Sequence, residues 1–212
     1  MLLEFCAENF DRVPEAIEKG IHRIELCDRL DVGGTTPHAE VQRETVNYAH
    51  MRGVQVVSMI RPRGGNFVYS DEEKETMIKQ AHEAVENGVD GLVLGCLTEE
   101  GQLDQSILNE LIAIAQKANR EVVFHMAFDH IPEESQKEAL EWLVDKGVTR
   151  ILTRGGKEGS AIENSESINR IIRWANDRIQ ILPGGGVTHD SLPELSRTIN
   201  TNQFHGTKIV PL

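Results

Sequence analysis

The feature that most limits what this chain can fold into is a repeat of one short pattern. A glycine, a branched residue and a brief apolar strand recur as Gly20-Ile21-His22-Arg23-Ile24-Glu25-Leu26-Cys27, Gly88-Val89-Asp90-Gly91-Leu92-Val93-Leu94 and Gly147-Val148-Thr149-Arg150-Ile151-Leu152-Thr153. Each copy follows a helical stretch, so the glycine reads as the residue just past the helix end and the segment after it as a strand. Between the copies lie further strand candidates, preceded by turns such as Gly53-Val54 and Asn119-Arg120.

In chain order, a first strand at Leu3–Cys6 leads to a short helix that Asn9 or Asp11 is expected to cap and Gly20 to stop. A loop from Asp28 to Pro37 precedes a helix over His38–Met51 and a strand over Gln55–Ile60. Ser70 with Glu73 forms a capping-box sequence for a helix that ends at Gly88. The fourth strand closes on Gly95-Cys96, and Asp104 opens the next helix. The fifth strand reads Val122–Phe128 and ends at Asp129, and a helix over Pro132–Lys146 leads to a strand at Arg150–Thr153. A helix over Ser165–Ala175, a strand at Ile179–Leu182, a short helix after Asp190 and a last strand at Gln203–Gly206 complete the series.

Strict strand–helix alternation implies a parallel sheet, and eight such units are the number that closes a TIM (β/α)8 barrel. With 212 residues the expectation is a single α/β TIM-barrel domain over 1–212, its eighth helix short or absent. The seam left by that helix suggests a homo-oligomer contact. A net charge of −12 disfavours nucleic acid and anionic membranes as partners. No apolar run is long enough to span a membrane, and Met1-Leu2-Leu3 runs straight into Glu4. Three cysteines, an odd number, fit reduced thiols, so the expected location is cytoplasmic.

Alternation along a strand decides which side chains face the barrel interior. It turns Glu4 and Cys6 inward on the first strand, Glu25 and Cys27 on the second, and His125 and Asp129 on the fifth, with Arg61 continuing the third and Met126 pointing outward. A buried carboxylate needs a partner, so Arg61 or His125 is expected beside Glu4 and Glu25. Cys6 and Cys27 stand at matching ends of adjacent strands, where two thiolates could share one soft Cu(I) ion. Cys96 lies too far around the barrel to join them. No Cys-x-x-Cys or His-Glu-x-x-His zinc pattern is present. Gly184-Gly185-Gly186, after the seventh strand, is either an anion or phosphate loop or a tight turn.

The segments Glu4-Phe5-Cys6, Arg23-Ile24-Glu25-Leu26-Cys27, Gly33-Gly34 with Thr36-Pro37, Met59-Ile60-Arg61-Pro62-Arg63, Phe124-His125 with Ala127-Phe128-Asp129, and Gly184-Gly185-Gly186-Val187 together resemble the CutC family. The resemblance spans nearly the whole chain. It implies a TIM barrel, a cytoplasmic copper-homeostasis role, and Cu(I) ligation at Cys6 and Cys27. The residues themselves leave a second class open. An enzyme acting on a small anionic or phosphorylated metabolite would use Glu4 or Glu25 as base, His125 as acid or electrophile, and Arg61 as anion clamp, with Asp129 a further candidate.

Overall fold

The computed structural model describes residues 1–212. Its strands are β1 (Leu2–Glu8), β2 (Arg23–Cys27), β3 (Gln55–Met59), β4 (Gly91–Leu94), β5 (Glu121–Phe124), β6 (Arg150–Thr153), β7 (Gln180–Pro183) and β8 (Gln203–Gly206). Seven helices alternate with them: α1 (Val13–Glu18), α2 (Ala39–His50), α3 (Asp71–Glu86), α4 (Gln105–Lys117), α5 (Glu133–Asp145), α6 (Ser165–Ala175) and α7 (Leu192–Thr198). All neighbouring strands are parallel, in the order β7-β6-β5-β4-β3-β2-β1-β8. The result is a nearly closed (β/α)8 barrel without an eighth helix.

Closure depends on the last strand. β8 pairs with β1 from Leu2 opposite Gln203 to Phe5 opposite Gly206. The backbone ladder stops at the other side of β8. There β7 and β8 are joined by side chains, with Gln203 Nε2 donating to Gln180 Oε1 at 3.3 Å and Thr201 Oγ1 to the Ile181 carbonyl at 3.3 Å.

Local chemistry explains the element ends. Gly20, Gly88 and Gly147 all have positive φ, at 87°, 87° and 71°, and each stands just beyond the cap residue of α1, α3 or α5. A side chain with a Cβ resists that left-handed turn, which is why the repeat begins with glycine. At α3, Ser70 Oγ accepts the Glu73 N–H at 3.3 Å and Glu73 Oε2 accepts the Ser70 N–H at 2.9 Å, the expected capping box. α1 departs from expectation. Neither Asn9 nor Asp11 caps it; its N-cap is Arg12, in the left-handed region, and Asn9 Nδ2 instead donates to Asp28 Oδ1 at 2.9 Å.

β5 is the other departure. It ends at Phe124, and Met126–His130 forms a 3-10 turn with His125 as its cap. The two-residue alternation therefore stops before Met126 and Asp129, so neither can be placed by counting along a strand.

The core has two compartments. Ile24, Leu26, Val56, Leu92, Leu94, Phe124, Ile151 and Phe204 join the helices in the outer shell. Inside the barrel a separate apolar group, Val57, Met59, Val93, Val123, Leu152 and Leu182, lines β3 to β7 and meets Cys6 and Cys27. The remaining interior, on β8, β1 and β2, is filled with Glu4, Arg23, Glu25, Gln203 and His205, all buried.

Candidate functional site

The polar wall is organised by register. β1 pairs with β2 so that Glu4 lies opposite Arg23 and Cys6 opposite Glu25, while Cys27 lies opposite Glu8. The two cysteines are thus offset by two residues and do not face one another across the ladder, as matching strand ends would require. Lateral spacing of about 4.8 Å and a rise of about 3.3 Å per residue put their Cα atoms roughly 8 Å apart, beyond the reach of a disulfide. Their sulfurs nevertheless converge. With one Glu25 oxygen they form a group whose ligand atoms all lie within 4.8 Å of one another. Glu25 Oε1 is 3.8 Å from Cys6 Sγ and 3.6 Å from Cys27 Sγ.

Glu4 is satisfied on both oxygens. Arg23 Nε donates to Oε2, and His205 Nδ1 lies 2.8 Å from Oε1. Burial alone would raise its pKa, but Arg23 and His205 outweigh that and hold it at about 2. His205 is in turn held cationic: burial opposes the charge, and Glu25, Cys6 and Glu4 together overcome it. Its Nε2 reaches to 3.9 Å from Glu25 Oε1.

Glu25 stands in the opposite condition. Burial pushes its pKa up to about 8, and its Oε2 has no hydrogen-bond partner. The neighbouring thiols split in behaviour. The hydrogen bond from Cys27 lowers Cys6 to about 5, whereas the same contact drives Cys27 well above the usual thiol range. The two thiols therefore titrate as a pair rather than independently.

A cavity of about 110 Å³ opens onto these groups at the strand C-terminal ends. Cys6, Glu25, Cys27 and His205 line it together with Met59, Arg61 and His125. Half-buried Leu30, Phe67 and Met126 rim it. Met126 therefore points inward, contrary to alternation, because the 3-10 turn after β5 swings it over the barrel.

Arg61 does not pair with either carboxylate. Its guanidinium donates to the carbonyls of Val32 at 3.1 Å, Gly34 at 3.0 Å and Gly65 at 2.8 Å, tying the loop after β2 to the loop after β3. His125 does not pair with them either. Its Nδ1 accepts the Ala127 N–H at 3.1 Å, and burial lowers its pKa to about 3, so the ring is neutral. The partners that Glu4 did acquire, Arg23 and His205, were readable by the same alternation that placed Glu25: Arg23 shares its parity, and His205 flanks the outward Phe204.

Asp129 lies outside the cavity. It is buried against the Thr153 hydroxyl and the Arg154 N–H, and burial raises its pKa to about 6. Gly184, Gly185 and Gly186 are not among the residues that line the cavity. A Cβ on Gly184 would fall 2.9–3.0 Å from Leu152, Met126 and His205, and Gly185 packs on Arg154. α7, beyond this loop, starts only at Leu192 and is seven residues long. Cys96 is buried in the outer shell against Met77.

Residues 1–210 match the CutC family. The chain belongs to that family. A CutC family protein of Enterococcus faecalis is 49% identical over 211 residues, covering 99% of this chain and 100% of that protein. A human relative named as a copper homeostasis protein cutC homolog is 39% identical over 207 residues, covering 96% of this chain and 72% of its own length. The crystal structure of CutC from Streptococcus agalactiae superposes with a TM-score of 0.94 at 44% identity, covering 99% of this chain and 100% of that one. No helix of this CutC chain is long and apolar enough to cross a membrane.

Proposed function

We propose that this CutC chain acts in copper homeostasis by binding Cu(I) between Cys6 and Cys27 and handing it on in the cytoplasm. One observation carries the reading: two buried thiols and a partly unpaired Glu25 converge within 4.8 Å at a cavity wall. Metal–thiolate bonds of about 2.3 Å let one ion bridge two sulfurs up to about 4.6 Å apart. Sulfur donors select a soft ion, and the thioether residues Met59 and Met126 line the same cavity. The offset register favours a bridging ion over oxidation to a disulfide, and Cys6 is the sulfur predisposed to lose its proton. The copper name of the human relative supports the same choice.

The test is an anaerobic titration of reduced protein with Cu(I) against a competing chelator. About one ion per chain is expected. Cys6→Ser and Cys27→Ser should each weaken binding by more than the roughly 10–100-fold that loss of an outer-shell partner costs. Cys96→Ser should leave binding unchanged. A double Cys6→Ser/Cys27→Ser variant that holds Cu(I) as tightly as the wild type would refute the site.

A second reading, an enzyme acting on a small anionic metabolite, is favoured by a separate observation. Glu25 Oε2, Arg61 Nε and His125 Nε2 are all buried without a hydrogen-bond partner, on residues that line the one cavity. Active sites bring such groups together. A metabolite-library thermal-shift screen of wild type against Arg61→Ala tests it, because a true ligand raises the wild-type midpoint by linkage and loses that effect in the variant.

A further inference from the structure

The part of the cavity lined by Arg61 and His125 is built to receive an anion. Arg61 is 4% exposed, yet it makes no ion pair; three backbone carbonyls are its partners, and Nε is left over. A buried cation without a counter-charge is costly. His125 is equally buried, at 4% exposure. Because its Nδ1 accepts the Ala127 N–H, the ring hydrogen sits on Nε2, and that N–H is also unpartnered. Both groups pack on Phe67: the Arg61 guanidinium carbon lies 5.0 Å from the ring centroid, and the His125 ring centroid also lies 5.0 Å from it. Two free donors, one fixed positive charge and one flat apolar surface thus belong to residues lining the same cavity as Glu25, whose Oε2 is also unpartnered.

We infer that this cavity binds a short monocarboxylate bearing a hydroxyl on the carbon next to the carboxylate, a 2-hydroxy acid. The carboxylate oxygens take the N–H groups of Arg61 Nε and His125 Nε2, and the adjacent hydroxyl hydrogen-bonds with Glu25 Oε2. The inference rests on the anionic-metabolite reading and narrows it. A phosphate brings three acceptor oxygens and up to two charges, whereas the cavity offers two free donors and a single cation. The glycine loop that would suit a phosphate is not among the residues lining the cavity. A volume of about 110 Å³ is the share of three or four water molecules, so the acid is limited to about two or three carbons.

The probes are glycolate and lactate, with acetate and inorganic phosphate for comparison, added to the full chain without copper. Binding is followed by thermal shift and by the NMR resonance of the His125 Nε2–H in the wild type, which needs no variant to fold. The 2-hydroxy acids should bind saturably and move that resonance downfield, with acetate about tenfold weaker for want of the hydroxyl's hydrogen bond. His125→Phe, which keeps an aromatic ring against Phe67, should weaken them by at least about tenfold, and Cys96→Ser in the outer shell should not. If phosphate binds at His125 and no carboxylate does, the carboxylate inference falls and the anionic-metabolite reading stands. If no anion binds a wild-type protein that still titrates with Cu(I), both fall. Carboxylate binding that is indifferent to His125→Phe overturns the assignment of these donors.

Discussion

β1 and β2 carry the same Glu-x-Cys sequence, side by side in one barrel, and the two glutamates end in opposite states. Glu4 has Arg23 and His205 on its two oxygens and a pKa of about 2. Glu25 sits between two thiols with one oxygen unpaired and a pKa of about 8. Nothing in the tripeptides separates them. The difference lies in what the neighbouring strand brings alongside: β2 presents Arg23 to Glu4, and β1 presents Cys6 to Glu25. A buried carboxylate that is fully paired holds the fold together, and one left partly unpaired is available to a ligand.

The largest expected effect comes from removing the pairing on the β1 side. Arg23→Ala strands a buried carboxylate and should lower the unfolding free energy by about 3–5 kcal/mol. Glu25→Gln removes a charge that burial already disfavours and should cost less than about 1 kcal/mol, or stabilise the fold. Chemical denaturation of both variants checks the contrast, and similar losses would mean that the two carboxylates play the same structural role.

A smaller effect is expected where β2 meets its lid loop. Gly34 has φ of 86°, and a Cβ there would lie 3.1 Å from Cys27 Sγ. Gly34→Ala should cost about 1–2 kcal/mol through backbone strain, and by displacing the sulfur it should weaken Cu(I) binding without touching Glu4. Stability and chelator competition measured on one sample separate the two consequences.

pH distinguishes the two carboxylates by sign. Glu4, lowered from 4.5 to about 2, contributes stability that is present above pH 4.5 and is lost as pH falls toward 2. Glu25, raised from 4.5 to about 8, contributes stability that is present below pH 4.5 and is lost as pH rises through 8. The stability of the wild type relative to Glu25→Gln should therefore shrink between pH 4.5 and 8; a constant difference across that range would contradict the raised pKa. His125, lowered from 6.5 to about 3, adds a loss as pH falls below 6.5 that His125→Phe should remove.

What the chain declares locally was legible in its sequence. The three helix-ending glycines, the Ser70–Glu73 capping box, the eight strands and the inward direction of Glu4, Cys6, Glu25 and Cys27 follow from turn chemistry and a period of two, which operate over a few residues. The same period would have placed Arg23 and His205 inside, had it been applied to every strand. Three things needed the tertiary structure. The two-residue offset of Cys6 from Cys27 is a matter of barrel stagger, which closure of all eight strands sets together. The inward swing of Met126 depends on β5 giving way to a 3-10 turn. The choice of carbonyls over carboxylates by Arg61 depends on two loops folding back across it, because a long side chain bonds whichever acceptors the packed neighbours bring within reach.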